Sequence, residues 1–426
     1  MIHDVRLPED TKWYLWQITQ IQMDVLRCAS TLAGGFTQGD LQTALETIVQ
    51  APRAQNISQW IFSHKDTKER LLLFSNHNNQ CEKVALVAEM QRDVNRLYTG
   101  TLTETLECHF PISTRANPLP DYFDGVLKFL IYFYDYLESG LPNFLFAGNE
   151  YNYPKFGRDQ FFDAFDRENP GQYVCAICDE HRFMTILRGK HFSDIEHYFP
   201  KSIYPHLACH PYNLIPICKP CNTAHLDKDP LLANNPRRLL GEIFLPYRNE
   251  SVIKQGLVKL NWQKTPENPN TPILSISSQK DPGNAVYAKL EAFSEIYDIP
   301  GRWQGQIHQI GEQLWRYIRQ YVRIEIESGK DLNLLQLKSE LERLLEYFFE
   351  DLGKSPWAFV LIWYLGNILV EEIETGILSK QEDVPFLNTV KDLLENRSKN
   401  VSTSHQLRAK EIIETARCLY NQQSAD

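Results

Sequence analysis

Four cysteines stand in two matched pairs, Cys175-Ala-Ile-Cys178 and Cys218-Lys-Pro-Cys221, with 39 residues between them. Two residues between thiolates let both sulfurs of one turn face a single ion. Two such turns supply the four tetrahedral ligands of a structural zinc site. Each pair follows a strand-like lead-in, Gln172 to Val174 and Asn213 to Ile217. The competing readings are plain burial and a thioredoxin-like redox pair. Neither pair opens a helix within a βαβ pattern, as the redox reading requires. The other five cysteines, Cys28, Cys81, Cys108, Cys209 and Cys418, are scattered without ligand spacing and read as ordinary core or surface residues.

Between the pairs lies DIEHYFPKS, Asp194 to Ser202, followed by HPYNLIPICKPCNTAHLDKDP, His210 to Pro230. An acidic residue stands beside a histidine, an asparagine follows 16 positions later, and a second polar pair opens a short helix. Asn222 and His225 are i and i+3 on that helix, so both can face one ion. Asp229-Pro230 supplies the stop signal.

In these residues the chain resembles the HNH endonuclease family in its four-cysteine subtype. The match is Glu196, His197 and Pro200, then Asn213-Leu to Cys218-x-x-Cys221-Asn222, about 60 residues in all. The resemblance implies a two-stranded hairpin followed by a helix around one catalytic divalent metal. It implies that His197 is the general base, since a neutral imidazole titrates near working pH. Asn213 then holds the loop that bears the base. Glu196 becomes a metal-ligand carboxylate, where the family more often has Asp or His. Asn222 stands where the family places its last metal ligand, and His225 is a second candidate ligand at a position where many members carry Lys. Mg²⁺ is the default oxygen-seeking ion, and an imidazole ligand also admits Mn²⁺, Ni²⁺ or Zn²⁺. His181, His191, His206 and His210 match no position of the pattern.

Other basic residues could touch a nucleic-acid backbone. Lys201 could meet a phosphate. Arg316, Arg319 and Arg323 fall on one helical face, where a basic stripe could track a strand or simply pair with Glu312, Glu325 and Glu327.

The elements that must position these groups follow from periodicity. From Leu7 to about Asp166 the pattern is helical, with Trp13, Trp16, Ile18, Ile21, Met23 and Leu26 at near-helical spacing. Asp121 to Leu137 is apolar almost all round and is expected to be buried. NHNNQ (Asn76 to Gln80) and STRANPLP (Ser113 to Pro120) read as loops. After Pro246, strand signals cover Ser251 to Trp262 and Pro272 to Ser278, separated by a turn-rich TPENPNT. Helices then return around Ile307 to Tyr321, Leu334 to Leu352 and Pro356 to Ile373, with a charged helical tail.

With 426 residues, two or three domains are expected. The division drawn is a helical N-terminal domain (1–166), the zinc-braced module (167–240), and a C-terminal domain with a short β insert and helices (241–426). The fold class is α+β, mostly helical flanks around a small zinc-stabilised ββα-metal module. The net charge of −10 opposes bulk electrostatic binding of nucleic acid, but its distribution is uneven. Gly171 to Leu240 holds eight Lys or Arg against six Asp or Glu, and six of the twelve histidines. The acidic flanks therefore suit protein partners or restricted access. MIHDVRLPED has no basic stretch followed by an apolar run, so no signal peptide is expected. The longest apolar runs, Val126 to Tyr134 and Trp357 to Val370, fall short of a membrane span and read as core helices. The expected setting is a reducing cytoplasm with no membrane association, where cysteines serve metal or burial.

The resemblance implies hydrolysis of phosphodiester bonds in DNA or RNA. Free-standing members with large helical additions resemble nuclease effectors of bacterial defence systems, often partnered by an ATPase, an extension by analogy of architecture. The rival readings are a non-catalytic zinc fold that binds nucleic acid or protein, and a nuclease restricted to RNA.

Overall fold

The computed structural model describes residues 3–32, 34–112, 117–146, 148, 151, 153–180, 194–226, 228–232, 237–248, 259–265, 268–277, 285–306, 309–310, 313–314, 316–317, 320, 343–348, 350–351, 354–362 and 365. The described chain is mainly helical with small two-stranded sheets, an α+β protein.

The N-terminal half is built from α1 (Glu9–Thr31), α2 (Gln38–Leu45), α3 (Ala51–Ser63), α4 (Lys65–Ser75), α5 (Gln80–Thr99) and α6 (Asp121–Tyr136). Local signals set their ends. Thr37 and Asp40 form a capping box at the start of α2. Asn79 caps α5 by accepting from Glu82 N–H, and Gly100 closes that helix at φ 73°, a left-handed turn that glycine adopts without strain. Gly125 lets α6 press onto α4, because a Cβ there would lie 2.7 Å from the Arg70 carbonyl oxygen. Asn76 to Asn79 lie in the expected loop, whereas residues 113–116 of STRANPLP are outside the described residues.

α6 departs from the reading of an apolar cylinder. Its buried residues are Gly125, Val126, Phe129, Leu130 and Phe133, one face only. Tyr132 and Tyr136 are half-buried beside Trp60 and His64, and Tyr134 is half-buried on the opposite side against Ile195 and His197, since phenols carry hydroxyls that need partners.

A short hairpin of β1 (Leu141–Pro142) and β2 (Lys155–Phe156) leads into α7 (Arg158–Glu168). Beyond it, β3 (Asp194–His197) pairs antiparallel with β4 (Leu214–Ile217), and α8 (Lys219–His225) follows at once. A longer hairpin joins β5 (Lys259–Thr265) to β6 (Asn268–Ser277). Its second strand starts earlier than the turn-rich reading of TPENPNT placed it. A register shift between Gln263 and Thr265 accommodates the segment holding Pro269, which cannot donate to a ladder. Ser251 to Val258 of the first strand signal lies outside the described residues. Then come α9 (Ala285–Tyr297) and α10 (Ile299–Gly305).

One buried core runs from Tyr14 on α1 through Phe129 on α6 to Ile195, Phe199, Tyr204 and Leu214 around the β3–β4 hairpin. The helices therefore pack directly against the segment that carries the candidate site. Asp93 on α5 reinforces this junction. It is fully buried, accepts from Cys108 N–H at 2.8 Å and from Glu107 N–H, and so anchors a strap whose Phe110 N–H donates to the Ile203 carbonyl at 2.8 Å. Among the described residues no helix is long and apolar enough to cross a membrane.

Candidate metal centre and active site

The two cysteine pairs meet. The sulfurs of Cys175, Cys178, Cys218 and Cys221 all lie within 4.8 Å of one another, and Cys178 Sγ is 3.7 Å from Cys218 Sγ. Four sulfurs at Zn–S bond length sit about 3.8 Å apart in a tetrahedron. All four residues are buried. Backbone amides point at the sulfurs, Glu180 N–H to Cys178 Sγ at 3.4 Å and Cys218 N–H to Cys175 Sγ at 3.5 Å. Burial, and then the Cys175 thiol, push the pKa of Cys178 upward, and burial with all three neighbouring thiols pushes Cys221 upward. A cation replacing those protons removes this penalty, so the donor set fits a soft metal ion such as zinc.

α10 closes this centre. Arg302 donates to Cys221 Sγ at 3.2 Å and pairs with Glu180, while Trp303 Nε1–H donates to the Cys178 carbonyl at 2.9 Å. Burial opposes the guanidinium charge, but the Cys221 and Cys178 sulfurs and Glu180 outweigh it and raise its pKa. The first cysteine turn also grips distant chain. Asp179, at φ 57°, meets His3 Nε2 at 2.6 Å and accepts from Phe359 N–H at 3.0 Å.

The β3–β4 hairpin and α8 bring the polar residues together in two pairs. Asp194 and Glu196 are i and i+2 on β3, so they share a face. Asn222 and His225 are one turn apart on α8. Asn222 Nδ2 donates to Asp194 Oδ2 at 2.7 Å, and His225 Nδ1 lies 3.3 Å from Glu196 Oε1. Lys219 stands 3.3 Å from Asp194. His225 is fully buried, and its Nε2 has no hydrogen-bond partner among the described residues. With Nδ1–H directed at a carboxylate, Nε2 carries the lone pair, the arrangement found in metal-ligating histidines. Glu196 and His225 make a pair rather than a cage. Among the described residues, the four cysteines are the one group of three or more His, Cys, Asp or Glu ligand atoms that gather. Mg²⁺ and similar ions commonly take one or two protein ligands and complete their shell with phosphate and water.

His197 leaves the strand on the other face. It is 4% exposed, its Nε2 lies 3.1 Å from the Ala208 carbonyl oxygen, and its ring meets Tyr134 edge-on at 4.1 Å. A carbonyl can only accept, so Nε2 bears the proton and Nδ1 keeps a lone pair. Burial, helped by the Lys201 charge, holds the imidazole pKa well below its ordinary value. Asn213 fastens the loop that follows. Its Oδ1 accepts from Phe199 N–H at 2.6 Å, and its Nδ2 donates to the Phe199 carbonyl at 3.2 Å and the Leu207 carbonyl at 2.8 Å.

No family model, no curated protein and no solved structure matches this chain.

The remaining sequence candidates divide. Lys201 sits 3.7 Å from Asp135 and 4.6 Å from the centroid of the Tyr134 ring, at the edge of the His197 environment. Arg316 is exposed, while Arg319 and Arg323 lie outside the described residues. His206 and His210 are fully buried, and His181 and His191 lie outside the described residues. Cys28, Cys108 and Cys209 are buried, Cys81 is exposed, and Cys418 is outside the described residues. Sequence reasoning passed over Asp194, although its i, i+2 spacing from Glu196 is a strand signal. It also passed over Tyr134, Tyr297 and Arg302, which reach the site from other elements and carry no local signal.

Proposed function

We propose that the chain is a metal-dependent phosphodiesterase acting on nucleic acid, braced by the four-cysteine centre. The supporting observation is that adjacent residues of β3 divide the labour. Glu196 turns toward His225 and α8, and His197 turns to the opposite face with Nδ1 free to accept a proton. Phosphodiester hydrolysis is in line, so the attacking water and the leaving oxygen stand on opposite sides of phosphorus. The adjacency of Glu196 and His197 on β3 brings a base and a carboxylate to one strand end, the two functions that in-line displacement needs.

Glu196, whose carboxylate is held by His225 Nδ1, would offer an oxygen to a divalent ion, with Asn222 one turn before His225 on α8. Such an ion supplies charge neutralisation at the scissile phosphate and the leaving oxygen. His197 Nδ1 accepts the proton of the attacking water, while Nε2–H stays on the Ala208 carbonyl and fixes the tautomer. Burial keeps the imidazole neutral, so its Nδ1 lone pair is available, with lower basicity than an imidazole that titrates near working pH. Asn213 holds the loop after His197 through three hydrogen bonds and takes no proton.

The test incubates purified full-length protein with plasmid DNA and with single-stranded RNA, each with Mg²⁺, Mn²⁺ or EDTA. Cleavage that requires the divalent ion and falls at least about 100-fold in His197→Ala supports the reading. Undiminished cleavage in that variant removes His197 as the base. Binding of either nucleic acid without cleavage under any ion favours a non-catalytic zinc fold. The two substrates separate a DNase from an enzyme restricted to RNA.

A further inference from the structure

Tyr134 lies on α6 in the N-terminal helical half, yet it makes three contacts at the hairpin. Its hydroxyl donates to the Ile195 carbonyl at 2.8 Å. Its ring meets the His197 imidazole at a centroid distance of 4.1 Å and an interplanar angle of 62°. Lys201 Nζ lies 4.6 Å from the ring centroid.

The ladder explains why a hydroxyl is needed there. Tyr198 N–H donates to the Asn213 carbonyl at 2.8 Å, so the 198/213 position is a hydrogen-bonded pair. Pairs alternate in an antiparallel ladder. Glu196/Ile215 and Asp194/Ile217 are therefore bonded pairs, and Ile195/Pro216 is not. Pro216 thus loses no ladder bond, and the Ile195 carbonyl points outward from the free edge of β3. Tyr134 takes that carbonyl. On the other edge, Tyr247 donates to the Leu214 carbonyl at 2.8 Å. In a two-stranded sheet of four residues per strand, these two outward carbonyls would otherwise lack a partner in the ladder.

We propose that Tyr134 is a positioning residue for His197. The Ala208 carbonyl holds one end of the imidazole, and Tyr134 fixes the plane of the ring together with the backbone two residues before it. Nδ1 then keeps a single direction. The catalytic consequence rests on the phosphodiesterase reading; the geometric restraint does not. The helical half is, on this account, part of the catalytic apparatus.

The experiment uses the full chain carrying Tyr134→Phe, Tyr134→Leu or Tyr134→Met, the last two removing the ring while filling the volume. Steady-state cleavage of a short oligonucleotide with Mn²⁺ separates kcat from KM. Nitrogen-15 spectra of the histidine rings, with the His197 signals assigned by their loss in His197→Gln, report its tautomer. Misplacing a reacting group by about 1 Å costs about 100-fold. The Leu and Met variants are expected to lose about that much in kcat with KM little changed, and their His197 ring is expected to show averaged tautomers. The Phe variant, which keeps the ring, should stay within about tenfold of the parent and retain a single Nε2–H tautomer. If the Leu variant fails to fold, the Met variant carries the same prediction. Wild-type kcat and an unchanged tautomer in the ring-less variants overturn the proposal, as does a loss carried by KM alone. Should the parent cleave nothing, the phosphodiesterase reading fails, and the ring spectra alone decide whether Tyr134 positions His197.

Discussion

At the scale of single residues, the most informative atoms are those left without partners. His225 Nε2 and the Tyr297 hydroxyl are both buried and unbonded among the described residues, and their rings stack with centroids 5.5 Å apart. An unsatisfied buried hydroxyl costs about 1–3 kcal/mol. If the Tyr297 phenol has no partner in the metal-free protein, Tyr297→Phe keeps the stacking and removes that cost. The expected outcome is a gain of about 1 kcal/mol in metal-free stability, read by urea denaturation in the presence of a magnesium and manganese chelator that spares the cysteine centre. A loss of similar size would show that the hydroxyl is already engaged. His225 tests the same region differently. His225→Leu leaves Glu196 without its imidazole partner, and the divalent-ion concentration needed for half-maximal cleavage should rise at least about tenfold. An unchanged requirement would take His225 out of the ion's surroundings.

At the scale of elements, the cysteine centre ties the hairpin, α8 and α10 into one piece. Arg302 and Trp303 sit on consecutive positions of α10 and grip a ligand sulfur and a ligand-turn carbonyl. Partners of this kind change metal affinity about 10–100-fold. Arg302→Met should therefore release zinc to a competing colorimetric chelator at about tenfold lower chelator concentration, while the metal-loaded content stays at one zinc per chain. Cys178→Ser should lose the metal outright. This scale also shows what a sequence can and cannot disclose. The cysteine spacing was legible because each pair is local, whereas the Asn213 role and a hairpin followed by a helix came only from the family resemblance. The partners that complete them were not legible. Tyr134 precedes the hairpin by about 60 residues, and Arg302 follows Cys221 by 81. Their contacts depend on how helices pack, and a tyrosine on an apolar helix reads as core until its hydroxyl finds a strand edge. The same blindness explains α6, where the pattern of rings concealed two half-buried sides.

At the scale of the whole molecule, the shared core makes stability and site geometry one problem, and histidines at the junction make both depend on pH. His210 follows the β3 loop and is fully buried edge-on against the stacked rings of Trp16 on α1 and Tyr98 on α5, with centroids 6.0 and 6.2 Å away. Its Nδ1 accepts from Tyr212 N–H at 3.2 Å. Burial, with the Arg248 charge second, pushes its pKa down to about 3. In the unfolded chain the same imidazole titrates near 6.5. Between those two values the unfolded state binds the proton and the folded state does not. Acid therefore favours unfolding there, by up to about 1.4 kcal/mol for each pH unit. The stability contributed by a neutral His210 is complete above about pH 6.5 and is lost as pH falls toward 3. His197, depressed in the same direction, adds to the slope. His210→Gln keeps an acceptor for the Tyr212 amide but cannot titrate. Urea denaturation at steps between pH 7 and pH 4.5 should show a slope shallower than the parent's by close to one proton's worth. An identical slope in the two proteins would mean that His210 is protonated inside the fold, and that the junction between the helices and the hairpin admits water.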